Sequence, residues 1–141
     1  MMQTVGFLLN PVAGMGGAVG LAGTDGQVAE AIRRGAVPHA HDRAVQTLSL
    51  LRSVDIAWYT CAAPLGENAI ASAKIDRFTV LYQPGVPTAA ADTKAACRAF
   101  LDAGVDLVVF CGGDGTARDV FDAVGREVPV LGIPAGGKMY S

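Results

Sequence analysis

Short apolar runs alternate with longer stretches of helical spacing along the chain. Residues 4–9, 55–60, 78–82, 106–111 and 129–133 are rich in β-branched, aromatic or leucine side chains. Runs this short, apolar without strict alternation, are expected for strands buried on both faces of a parallel sheet. Residues 27–35, 41–52, 66–73 and 88–103 have helical character between them, with Ala44, Val45, Leu48 and Leu51 on one side of the second. Thr88 is the expected N-cap of the alanine-rich segment and Gly104 its end, whereas Asp92 and Thr93 read as an exposed helix start. The alternation predicts an α/β, Rossmann-like parallel sheet with helices on both faces. Trp58 and Tyr59 are then expected to pack against opposite faces of that sheet.

The most informative stretch is 105–121. An apolar strand leads into Gly112-Gly113-Asp114-Gly115, and Ala117, Val120, Phe121 and Val124 follow at the spacing of a helix with one buried face. Thr116 is the expected N-cap, with Asp119 completing a capping-box pattern. Three glycines let the backbone turn through dihedrals that side chains disfavour, leaving its N–H groups uncovered in front of a positive helix end. That arrangement suits a phosphate. Asp114, a carboxylate inside such a cradle, reads as a Mg²⁺ contact or a proton acceptor.

Gly112-Gly113-Asp114-Gly115-Thr116 resembles the signature shared by NAD kinases, diacylglycerol and sphingosine kinases and, more loosely, phosphofructokinases. Asn10-Pro11-Val12-Ala13-Gly14-Met15-Gly16-Gly17, Gly23-Thr24-Asp25-Gly26 and the segment from Gly132 to Ser141 are similar to the ATP-NAD kinase-like branch, so the likeness runs from end to end. The resemblance implies phosphoryl transfer from ATP, or polyphosphate, to the adenosine 2′-hydroxyl of NAD with Mg²⁺. It implies that Asp114 orients or deprotonates that hydroxyl, and that Asn10, Gly112, Gly113, Gly115, Thr116 and Lys138 bind the nucleotide. Residues 1–141 then form one α/β nucleotide-binding domain, and the mostly β C-terminal domain of the family, which supplies much of the acceptor site, is absent from this chain. The chain alone is therefore expected to be inactive, and the contrary reading is a non-catalytic nucleotide-binding fragment or regulatory domain. A different hydroxyl acceptor also stays open, because the Gly-Gly-Asp-Gly-Thr motif does not by itself select NAD.

Other motifs fail on spacing. After Gly14 and Gly16 the Gly-x-Gly-x-x-Gly fingerprint meets Val19, with Gly20 one place late, and no acidic residue ends a second strand about twenty positions on. Residues 132–138 fit Gly-x-x-x-x-Gly-Lys, but Met139 stands where a phosphate loop needs Ser or Thr for Mg²⁺. His39 and His41, two apart with no Cys or carboxylate cluster, read as surface or capping side chains, and no metal site is expected.

Composition narrows the partners. Net charge is −2 and only 17% of residues are charged, so a broad basic surface for nucleic acid or anionic membrane is not expected; small nucleotides are. Cys61, Cys97 and Cys111 lack Cys-x-x-Cys spacing and fall in apolar surroundings, which fits a reducing, cytoplasmic location. No apolar run approaches the roughly 20 residues of a membrane helix. Apolar surface at the last strand leaves self-association open.

Overall fold

The structure is a computed structural model that describes residues 2–12, 40–85 and 88–135. Five strands, β1 (Gln3–Leu9), β2 (Ile56–Cys61), β3 (Phe78–Tyr82), β4 (Leu107–Gly112) and β5 (Val130–Pro134), form one parallel sheet in the order β3-β2-β1-β4-β5. The four α-helices among the described residues are α1 (Ala40–Leu50), α2 (Glu67–Ser72), α3 (Ala90–Ala103) and α4 (Asp114–Val124), with a 3-10 turn at Ala63–Leu65. The expected doubly covered α/β sheet is therefore present. The helix expected over residues 27–35 lies outside the described residues.

Strand order decides which helix covers which face. From β1 the chain moves outward through β2 to β3, then returns past β1 to place β4 and β5 on the other side. With right-handed crossovers, that reversal sends the helices of the two halves to opposite faces. Ala40, Ala44 and Leu48 of α1 and Ala69 and Ile70 of α2 pack with Val5, Phe7, Leu9, Trp58 and Val109. On the other face, Ala96, Cys97 and Phe100 of α3 and Val120 and Val124 of α4 pack with Leu8, Val108 and Phe110. Trp58 sits in the first layer and Tyr59 packs against the second, as their alternation predicts.

β1 and β4 pair from Val5↔Leu107 to Leu9↔Cys111. A reciprocal staple pins the entry to this pair: Asp106 N–H donates to the Thr4 carbonyl (2.8 Å), and Asp106 Oδ2 accepts from the Thr4 N–H and hydroxyl, both at 2.9 Å. The Thr4 N–H, then its hydroxyl, holds the Asp106 carboxyl below the usual carboxylate range.

Three helix details differ from the sequence reading. Helix α4 begins at Asp114, with Gly113 in an extended conformation as its N-cap, so Thr116 lies within the first turn and Asp119 beyond it; the expected capping box does not form. Phe121 is 62% exposed although its spacing suggested burial, because α4 rests on the sheet along Thr116, Val120 and Val124, and a residue one step of about 100° past Val120 turns away. Helix α3 is capped at Ala89 rather than Thr88, and Asp92 and Thr93 are buried. Gly104 does close it, in the left-handed conformation (φ 77°).

Gly6 sets how closely α3 approaches the centre of the sheet. A Cβ there would lie 2.6 Å from two ring carbons of Phe100, which is itself fully buried. Gly6→Ala must push the ring and its helix outward, and is expected to lower unfolding free energy by roughly 1–3 kcal/mol, the usual cost of overpacking. Urea denaturation measures this, and an unchanged midpoint would show that α3 yields without cost.

Candidate functional site

The point where strand order reverses lies between β1 and β4. In open parallel sheets such a reversal point, at the carboxyl edge, is the crevice where ligands usually bind. Asn10 follows β1 there, and Gly112 to Thr116 follow β4. The Asn10 N–H extends the β1–β4 ladder by bonding the Cys111 carbonyl (2.9 Å). Its side chain accepts from the Val12 N–H through Oδ1 (3.2 Å) and donates through Nδ2 to Thr116 Oγ1 (3.3 Å).

Gly112 matters for close approach rather than for unusual dihedrals. Neither it, Gly113 nor Gly115 has a positive φ; Gly113 is extended at φ −108°, ψ −160°. A Cβ on Gly112 would meet the Thr116 Cβ and Oγ1 at 2.6 Å. The missing side chain lets the first turn of α4 fold directly over the strand end, which is why the helix starts before Thr116. Thr116 is only 5% exposed, while Gly113, Asp114 and Gly115 are half-buried.

Two helix N-termini at this edge differ electrostatically. In α3 the end is closed by the protein: Asp92 Oδ2 accepts from the Ala89 N–H (2.8 Å), and Oδ1 accepts from the Tyr82 hydroxyl (2.6 Å) and the Gly85 N–H (3.1 Å). In α4 the N-cap is Gly113, which has no side chain to close the end, and the Ala117 N–H makes the bond back to the Gly113 carbonyl (3.0 Å). The amides of Gly115 and Thr116 precede that bond and point along the helix axis toward the crevice. An anion is favoured there by the helix dipole.

Asn10, Gly112, Gly113, Asp114, Gly115 and Thr116 are thus brought together from opposite sides of the crevice. Lys138 lies outside the described residues, as do His39 and the glycine-rich residues 13–26. The pairing of buried Asp92 with half-buried Tyr82 escaped the sequence reading. An acidic residue at the third helical position was its only signal, and the Tyr82 partner becomes apparent only when the end of β3 meets the start of α3. Among the described residues no group of three His, Cys, Asp or Glu could hold a metal. Burial pushes all three thiols up to about 12, which suits packing rather than nucleophilic chemistry. Among the described residues no helix is long and apolar enough to cross a membrane.

Residues 5–141 match the family model described as the ATP-NAD kinase N-terminal domain. No curated protein and no solved structure matches the chain.

The Asp92 clamp carries a pH signature. The Tyr82 hydrogen bond, helped by the Gly85 and Ala89 amides and opposed by burial, holds the Asp92 carboxyl below its usual range; the same bond, with burial, pushes the Tyr82 phenol up. A lowered carboxyl pKa stabilises above its unfolded value and is lost as pH falls through the folded one. A raised phenol pKa stabilises below its unfolded value and is lost as pH rises through the folded one. Asp92→Asn should therefore lose most stability between about pH 4 and pH 10, with the gap to wild type closing outside that window. Urea midpoints from pH 3 to 8 test the acid limb. A gap independent of pH would mean that the charge on Asp92 contributes nothing.

Proposed function

The chain belongs to the ATP-NAD kinase family, and from that premise we propose that the β1–β4 crevice binds nucleotide phosphates for transfer of a phosphoryl group from ATP, or polyphosphate, to the 2′-hydroxyl of NAD. The observation that carries this reading is the start of α4: a helix end whose N-cap has no side chain, directly behind Gly112-Gly113-Asp114-Gly115-Thr116, at the reversal of strand order. Backbone donors of Gly113 and Gly115 face the phosphates, Gly112 and Thr116 form the floor behind them, and Asn10 stands on the opposite wall.

Phosphoryl transfer depends chiefly on positioning and on stabilising charge, so little covalent chemistry is asked of the protein. Asp114, the first residue of α4 and half-buried, is the group that accepts or orients the acceptor hydroxyl proton. Mg²⁺, held by Asp114 and phosphate oxygens, would neutralise charge on the transferred group. A carboxylate at this place suits that ion, which usually takes one or two carboxylates and completes its shell with phosphate and water.

The second reading is a domain that binds nucleotide without turnover. It is supported by the matched family model, which by its own description is an N-terminal domain. In this reading the acceptor wall comes from another domain, and the chain retains phosphate affinity alone. A cytoplasmic setting, where ATP and NAD are abundant and thiols stay reduced, suits either reading.

The test measures NADP formed from NAD and ATP with Mg²⁺, on this chain and on a form extended by a C-terminal β domain. Asp114→Asn keeps the shape and removes the charge, so turnover in the active form should fall by roughly 10²-fold or more while the thermal midpoint holds. A rate within about threefold of the parent would give Asp114 a structural role. Absence of both NADP formation and ATP binding in either form would end the proposal.

A further inference from the structure

Asn10 and Thr116 are 106 positions apart, yet each side chain is turned toward the other rather than outward. The Asn10 amide is fixed in orientation because the Val12 N–H must meet its oxygen, which leaves Nδ2 to face Thr116 at 3.3 Å. Thr116 is 5% exposed and packed over Gly112. Two independent phosphate contacts would present their polar atoms to the crevice. Here both ends of the Asn10 amide are engaged by protein, and the Thr116 hydroxyl oxygen accepts from it.

Resting on the reading of the crevice as a phosphate site, we propose that Asn10 and Thr116 act as a single latch that ties the segment leaving β1 to the first turn of α4. They set the width of the crevice and the direction of the α4 amides. Both side chains position rather than bind, and the direct contacts fall to the backbone N–H groups at the start of α4. Removing either partner breaks the same bond. Among the described residues, the main-chain bond from Asn10 to Cys111 remains, which fixes the strand ends but not the helix.

The consequence is non-additivity, which contacts in one network show and separate ones do not. Calorimetric titration of the full chain with ATP and Mg²⁺ compares wild type, Asn10→Ala, Thr116→Val and the double variant, each with its thermal midpoint. Each single change should weaken binding about tenfold, and the double change about tenfold again relative to wild type rather than about a hundredfold. Thr116→Ser, which keeps the hydroxyl, should recover most of what Thr116→Val loses. A readout that needs neither ligand nor double variant is the amide NMR signals of Gly113 and Gly115, which should shift alike in the two single variants. An additive hundredfold loss, single variants with lowered midpoints but wild-type affinity, or amide shifts confined to one variant would each overturn the latch. If wild type binds no ATP at millimolar concentration, the phosphate-site reading falls and the latch with it. Wild-type binding with additive losses sinks the latch alone.

Discussion

Parallel pairing between β1 and β4 joins two halves of the sheet whose helices cover opposite faces, and among the described residues no other strand pair has that position. On one side lie β2 and β3 with α1 and α2; on the other, β5, with α3 and α4 covering the second face. The pair is held at its entry by the Thr4–Asp106 staple and at its exit by Asn10, which bonds Cys111 through its backbone and Thr116 through its side chain. A one-residue slip would exchange Leu8 with Phe7 or Leu9 between the two apolar layers. The crevice exists only while this register holds.

Close approach at positions without a Cβ is the second constraint. Gly6 brings α3 onto the middle of the sheet through Phe100, and Gly112 lets α4 start directly over the end of β4. In both places the glycine is used for space, not for left-handed backbone, so the site is formed by packing distance. The same packing buries Thr116 and turns it toward Asn10. Geometry at the crevice is therefore inherited from the core beneath it.

Charge then separates two helix ends that share one edge. Asp92 occupies the start of α3, with three donors converging on its carboxylate, and makes that end a structural clamp on the segment after β3. The start of α4 carries a glycine cap and faces the reversal point. Both ends carry a first-turn carboxylate, but Asp92 is held by the protein's own donors, whereas Asp114 stands at the glycine-capped end, where the helix dipole favours an anion and a cation would offset the carboxylate. Membership of a kinase family whose chemistry is phosphoryl transfer agrees with that division.

Local sequence determined the five strands, the α/β class, the glycine that closes α3 and the motif at the carboxyl edge, because each depends on spacing within a few residues. The family resemblance was likewise carried by contiguous motifs, above all residues 112–116. Only tertiary structure decided that α4 starts at Asp114, since that follows from how near Thr116 can come to Gly112. It also decided that Phe121 faces outward, because helical spacing gives the width of an apolar stripe but not the line along which the sheet meets it. Asp92 meets Tyr82, and Asn10 meets Thr116, across 10 and 106 positions of chain. Local sequence can offer one member of such a pair, as Asp92 at the third helical position, but not its partner, which is chosen by which strand and helix ends the topology brings together.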